Sequence, residues 1–157
     1  MSQFDLNKLL LSDSRPLIMG VLNITPDSFF DGGKHFNRQR AIKHAHKIIE
    51  NGADIIDIGG ESSRPGAEPV SEEEELSRVL PVIEAVASEI TIPISIDTYK
   101  ANVARKALTA GAVIVNDISA LRFDSGMHEV IKNYDAYIVL MHMLGNPRNM
   151  QKNPVYK

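Results

Sequence analysis

A parallel α/β fold is predicted here by three observations. Five short apolar runs, each of a buried strand's length, recur at about Leu17–Leu22, Asp54–Ile58, Pro93–Asp97, Val113–Asn116 and Ala136–Met141. Segments with helical spacing lie between them, and that alternation builds parallel sheets from βαβ units. Each run also carries or stops at a polar side chain: Asn23, Asp57, Asp97, Asn116 with Asp117, and His142 after Met141. Parallel α/β folds display their sites at the carboxyl ends of their strands, where such residues converge. Right-handed crossovers allow either an open doubly wound sheet or a closed barrel. No G-x-G-x-x-G opens the first helix and no G-x-x-x-x-G-K-[ST] occurs, so nucleotide-binding open sheets lose ground. A (β/α)8 barrel needs eight strands and usually about 250 residues, and five strands are legible here.

Residues 1–16 are a lead-in, expected as an edge strand or a cap on the barrel floor. The first strand opens into the loop Asn23-Ile24-Thr25-Pro26-Asp27-Ser28-Phe29-Phe30-Asp31-Gly32-Gly33, rich in turn residues. A helix is expected over Arg38–Asn51, with Asn37 as N-cap, Ile42, Ala45, Ile48 and Ile49 as its apolar stripe, and Asn51-Gly52 as its stop. The second strand leads into Gly59-Gly60-Glu61-Ser62-Ser63-Arg64-Pro65-Gly66. The next helix begins at Ser71, with Glu74 three residues on as a capping box. Pro81 lies inside its stripe, so a kink is expected there. The acidic run Glu72 to Glu75 invites a cation, but first-turn carboxylates complement the helix dipole, and these are expected to be solvated. After the third strand a helix over Lys100–Ala110 is ended by Gly111, and a short one near Ser125–Asn133 precedes the fifth strand.

Composition excludes several function classes. The 157 residues suffice for one domain and a sizeable core, and a net charge of −3 gives no electrostatic footprint for nucleic acid or an anionic membrane. Cysteine is absent, which removes disulfides, thiolate metal sites and a cysteine nucleophile, and fits a cytoplasmic setting. No apolar run approaches the roughly 20 residues of a membrane helix, and the N-terminus lacks a secretory h-region.

The polar residues gathered at the strand ends have a defined chemistry. Asp and Asn can read the edge of a flat heterocycle through hydrogen bonds. Their oxygens suit a hard cation such as Mg²⁺, and Arg64 with small hydroxyls suits phosphate. Each has a plainer role too: Asn23 as a turn residue, Asp97 or Thr98 as a helix cap, Met141 as core, Gly59-Gly60 as a turn. Asp57, in mid-strand, is expected as hydrogen-bonded structure. Of Asn116 and Asp117, only one need face the mouth, because strand neighbours point to opposite sides. The five histidines make no metal site by spacing.

Five segments together resemble the dihydropteroate synthases, folate-pathway targets of sulfonamides: Met19–Gly33, Ile56–Gly66, Ser95-Ile96-Asp97-Thr98, Val115-Asn116-Asp117-Ile118 and Leu140–Pro147. They stand in family order at family-like spacing. The resemblance implies a (β/α)8 TIM barrel, with residues 1–157 supplying the N-terminal part of one pterin-binding domain and about its first five strands. It implies a transferase that joins 6-hydroxymethyl-7,8-dihydropterin diphosphate to p-aminobenzoate and releases pyrophosphate. It puts Asn23 at the Mg²⁺–pyrophosphate, has Asp97 and Asn116 hydrogen-bond the pterin, and packs Met141 on the ring face. Asp31 and Arg64 would order their loops over the leaving group, and Phe29, Ser63 and Pro65 would line the aminobenzoate pocket. Sulfonamide inhibition, a homodimer at full length and a cytoplasmic location are implied as well. Phe30 stands where the family often has serine, and Ser63 where threonine is common.

The chemistry agrees with those roles. Cleavage of the C–O bond at the pterin methylene leaves positive charge on the ring and negative charge on pyrophosphate. Fixed opposite charges placed where charge develops are usually the largest catalytic term. Asp97 would serve the ring, and Arg64 with Mg²⁺ the leaving group. The amine of p-aminobenzoate attacks without a protein nucleophile.

Two other functions compete: a corrinoid-linked methyltransferase domain sharing the pterin barrel, and a non-catalytic pterin-binding module. The family's second pterin-binding aspartate, its lysine and its arginine–histidine pair fall beyond Lys157. The isolated chain is therefore expected to be an open, inactive part-barrel with unpaired edges at the first and fifth strands.

Overall fold

The computed structural model describes residues 6–11, 15–24, 33–62, 68–146, 149–150 and 155. Ten elements alternate as expected: α1 Leu6–Leu10, β1 Met19–Asn23, α2 Gly33–Glu50, β2 Ile55–Gly59, α3 Glu72–Glu89, β3 Ile94–Asp97, α4 Ala101–Ala110, β4 Ile114–Asp117, α5 Met127–Tyr134 and β5 Tyr137–Leu140. The strands form one all-parallel sheet in the order β1-β2-β3-β4-β5, with β1 and β5 at its edges. Sequential neighbours joined by helical crossovers are the (β/α) units of a TIM-type barrel, here four in succession followed by a fifth strand.

The sheet's two faces do different work. Leu22, Ile56, Ile58, Ile96 and Val115 point outward and pack with Ala41, Ala45, Val79, Ile83, Val86, Val103, Ala107 and Met127 of the surrounding helices. Each fully buried aliphatic side chain contributes roughly 1.5–3 kcal/mol. The inner face is closed at the bottom by an apolar cluster, where Leu6 of α1 packs with Ile55 and Ile114 against Leu9, Met19 and Tyr137. Leu6–Leu10 of the lead-in are therefore a helix capping the floor, not the alternative edge strand. At Gly20 the α2 helix comes so close that an added Cβ would lie 2.2 Å from Ile48 Cγ2.

Most boundaries shift by a residue or two from expectation, because ladder pairing rather than apolarity sets them. Asn23 belongs to β1, since it pairs with Gly59. Helix α2 starts at Gly33, so Asn37 lies inside it and is no N-cap. The Ser71 capping bond is present, its Oγ accepting from Glu74 N at 3.2 Å, and α3 runs on through Pro81. Gly111 ends α4 with φ 121°, a conformation that favours glycine.

The acidic first turn of α3 departs from expectation at one residue. Glu75 is 1% exposed. It lies four residues before Val79 on the helix face turned to the core, so it cannot be solvated. Lys100 Nζ meets its Oε2 at 2.6 Å.

Candidate active site

Strand register brings the predicted polar residues into one row. Asn23 pairs with Gly59, Gly59 with Asp97, Asp97 with Asn116 and Asn116 with Val139. Laterally paired residues of parallel strands share a face, and this face is the barrel interior at the carboxyl end. The row beneath runs Val21, Asp57, Ser95, Ile114 and Tyr137. Asn23, Asp97 and Asn116, 93 residues apart in the chain at their extremes (116 minus 23), therefore look into one mouth.

Gly59 leaves the centre of that row open. A Cβ placed on it would lie 3.4 Å from Asp97 Oδ2 and 3.6 Å from Asn23 Oδ1, so an amide oxygen and a carboxylate oxygen flank the same space. Asn116 is half-buried, and its Nδ2 donates to Asp57 Oδ2 at 2.9 Å. Asp117 takes the other face: its Oδ1 and Oδ2 accept from Ser119 N at 2.7 Å and Leu121 N at 2.8 Å, bracing the turn after β4. Met141 follows β5, held by its N–H to Asp117 O at 3.2 Å. Phe29, Asp31, Ser63, Arg64 and Pro65 lie outside the described residues.

Asp97 is not a helix cap. The first N–H of α4 donates to Asp124 Oδ2 at 2.7 Å, and Thr98 Oγ1 accepts from Lys100 N at 3.2 Å. Among the described residues no donor reaches the Asp97 carboxylate. Burial pushes its pKa up to about 7, and the negative charges of Asp57, Glu75, Glu61 and Asp117 add to the rise. Asp57, 4% exposed, is also raised by burial, with the Asn116 amide pulling it back. Asp57 Oδ1 and Ser95 Oγ are buried without a hydrogen-bond partner among the described residues. Among the described residues the mouth is thus rich in acceptors and short of donors, a setting for a flat ligand with a donor-rich edge.

One polar cluster beside the mouth escaped the sequence. Lys100 Nζ contacts Glu61 Oε2 and Glu75 Oε2 at 2.6 Å each and the carbonyl of Val70 at 2.8 Å. Tyr99 donates its hydroxyl to Glu61 Oε1 at 2.8 Å, and burial and that carboxylate raise its pKa. Its ring packs edge-on against Phe123. The available signal was Glu75 recurring with Val79 and Ile83 on an otherwise apolar helix face.

A (β/α) barrel wall with a row of amide and carboxylate groups at its mouth defines a class: a barrel protein whose mouth is built to suit a polar heterocycle. Residues 19–157 match the family of pterin binding enzymes, and the chain belongs to that family. It is 56% identical over 128 residues to dihydropteroate synthase of Bacillus subtilis, covering 82% of this chain and 45% of that protein. The Yersinia pestis dihydropteroate synthase, solved with a sulfonamide drug, superposes with a TM-score of 0.83 at 50% identity, over 93% of this chain and 53% of that one. The Xanthomonas albilineans enzyme, solved with 4-aminobenzoic acid, gives 0.80 at 46% identity, over 91% and 50%. The chain spans about half the length of the curated relatives it matches.

Proposed function

We propose that the polypeptide carrying this chain is a dihydropteroate synthase, condensing 6-hydroxymethyl-7,8-dihydropterin diphosphate with p-aminobenzoate to 7,8-dihydropteroate and pyrophosphate. The observation that carries this is the single inner row of Asn23, Gly59, Asp97 and Asn116 in a chain about half identical to such enzymes. Asp97 and Asn116 hold the pterin edge, and Met141 packs on its face. As C–O cleavage leaves positive charge on the ring, the Asp97 carboxylate stabilises it. The surrounding carboxylates repel a diphosphate, so the leaving group needs its own cations. Arg64 is one, and Asp31 helps order the neighbouring loop. Phe29, Ser63 and Pro65 line the site for p-aminobenzoate, where a sulfonamide competes.

Among the described residues no group of three or more His, Asp or Glu side chains could cage a metal ion. That donor set suits Mg²⁺ nonetheless, because this ion keeps most of its waters and is commonly carried on substrate phosphates with one or two protein oxygens. Asn23 Oδ1, open to solvent at the rim, supplies such an oxygen. Mg²⁺ bound there would offset the charge growing on pyrophosphate. No helix among the described residues is long and apolar enough to cross a membrane, and we place the enzyme in the cytoplasm as a homodimer.

The test is incorporation of labelled p-aminobenzoate into dihydropteroate, dependent on pterin diphosphate and Mg²⁺. Activity is expected only where the remaining barrel strands are supplied with this chain. Pterin binding with no incorporation by such a complete protein would instead mark a binding module.

A further inference from the structure

We propose that Asp57 is a positioning residue for ligand recognition: it pins the Asn116 amide so that the carbonyl oxygen, rather than the N–H edge, faces the barrel mouth. The inference rests on the pterin reading above.

A primary amide has nearly the same shape either way round, so a ligand could meet a donor or an acceptor at Asn116. A carboxylate only accepts. The 2.9 Å bond from Asn116 Nδ2 to Asp57 Oδ2 therefore chooses for it. Asp57 sits one row below Asn116 and two strands away, so this bond crosses the barrel interior over β3. With Nδ2 engaged below, Asn116 Oδ1 is left for the mouth. It joins Asp97, whose carboxylate meets no donor of the described protein, in a surface made of acceptors. A 2-amino group next to a ring N–H, the donor edge of a pterin, is the complement.

Stability does not account for Asp57. Ile114 of the same inner row shows that an apolar side chain can fill such a position, and an ionisable side chain 4% exposed, with one oxygen unpartnered among the described residues, is a burden on folding. The Ser95 hydroxyl, paired with it in register, is fully buried and likewise unpartnered. Strand interiors keep such groups where they serve a site.

The test is a double-mutant cycle read by calorimetric titration with 6-hydroxymethylpterin, which lacks the diphosphate, on the complete protein. Asp57→Ala is expected to weaken binding about tenfold, the worth of one well-placed hydrogen bond. Asp57→Asn is expected to stay within about threefold, because its amide oxygen can still accept from Asn116. In an Asn116→Ala background, Asp57→Ala should cost nothing further. Should Asp57→Ala not fold, Asp57→Leu, which keeps the branched side-chain outline but has no acceptor, takes its place in the cycle. Unchanged affinity for the Asp57 variant, or a tenfold loss that persists without Asn116, overturns the inference. Absence of binding by the unaltered protein overturns the pterin reading itself, and is seen before any variant is made.

Discussion

Lys100 Nζ stands 2.6 Å from Glu75 Oε2, a carboxylate 1% exposed at the core face of α3. The same ammonium holds Glu61, the first charged residue after β2, so the loops following β2 and β3 are tied together at the mouth. Lys100 has three acceptors within 2.8 Å. It is saturated, and its work is structural.

Removing the lysine charge strands two carboxylates. Breaking one side of a buried ion pair typically costs 3–5 kcal/mol, because the survivor stays desolvated and unpaired. Lys100→Met is expected to lower stability on that order in urea denaturation. Lys100→Met with Glu75→Gln should recover part of the loss. If Lys100→Met unfolded at the parent's urea midpoint, the pair would contribute nothing.

On the proposed role of Asp97, pterin affinity is expected to depend on pH. Its folded pKa is about 7, above the ordinary carboxylate value of 3.8, with burial the main cause. A donor-rich ligand binds the ionised form, so affinity is expected to rise through pH 7 and level off above it. Below pH 6.5 it should fall toward tenfold per unit, and Asp97→Asn should be flat. For folding the sign is opposite: between the unfolded and folded pKa the native state holds the extra proton. Stability from this group falls as pH rises from about 4 to 7, by at most roughly 4 kcal/mol. Asp97→Asn is thus expected to raise the melting temperature at pH 8 and to change it little at pH 4.

Burial explains which features were readable beforehand. Strands covered on the outer face by helices must be apolar, so all five runs stood out, and Asn23, Asp97 and Asn116 stood out as interruptions at their ends. Their convergence needed only the rule that parallel strands finish together. Boundaries slipped, as at Gly33, because backbone pairing and helix nucleation leave no mark on a single residue. Partnerships were not legible. Glu75 finds Lys100 across 25 residues and Asn116 finds Asp57 across 59, and neither spacing has a local signature. The roles given to Asp31, Arg64, Phe29, Ser63 and Pro65 rest on resemblance, since those residues lie outside the described ones.

Gly20 is where α2 presses hardest on the sheet. A methyl there would sit 2.2 Å from Ile48 Cγ2 and 3.2 Å from Ala53 Cβ. A side chain attached near the helix backbone cannot swing clear, so α2 must move. Gly20→Ala is expected to cost roughly 1–3 kcal/mol, the usual penalty of overpacking. Gly20→Ala with Ile48→Ala should be more stable than Gly20→Ala alone, a reversal of the destabilisation that Ile48→Ala causes by itself. Thermal melts of the four proteins decide it.

The turn after β4 stores strain beside the row of Asn23, Gly59, Asp97 and Asn116. Ala120 and Leu121 adopt φ of 51° and 65°, left-handed values that cost an L-residue roughly 1–2 kcal/mol each. Asp117 holds the turn there by accepting from Ser119 N and Leu121 N, and Met141 N bonds back to the Asp117 carbonyl. Asp117 thereby links the end of β4 to the end of β5, the two strands that carry Asn116 and lead to Met141. Asp117→Ala removes two charge-assisted bonds at a residue 1% exposed and is expected to cost roughly 2–4 kcal/mol. Ala120→Gly relieves one strained residue but frees the unfolded chain, so alone it should gain no more than about 1 kcal/mol. Combined, the two should couple: with glycine at 120 the turn needs less bracing, and Asp117→Ala should cost measurably less than in the parent. Equal costs in both backgrounds, measured by urea denaturation, would mean that Asp117 stabilises the turn without restraining Ala120.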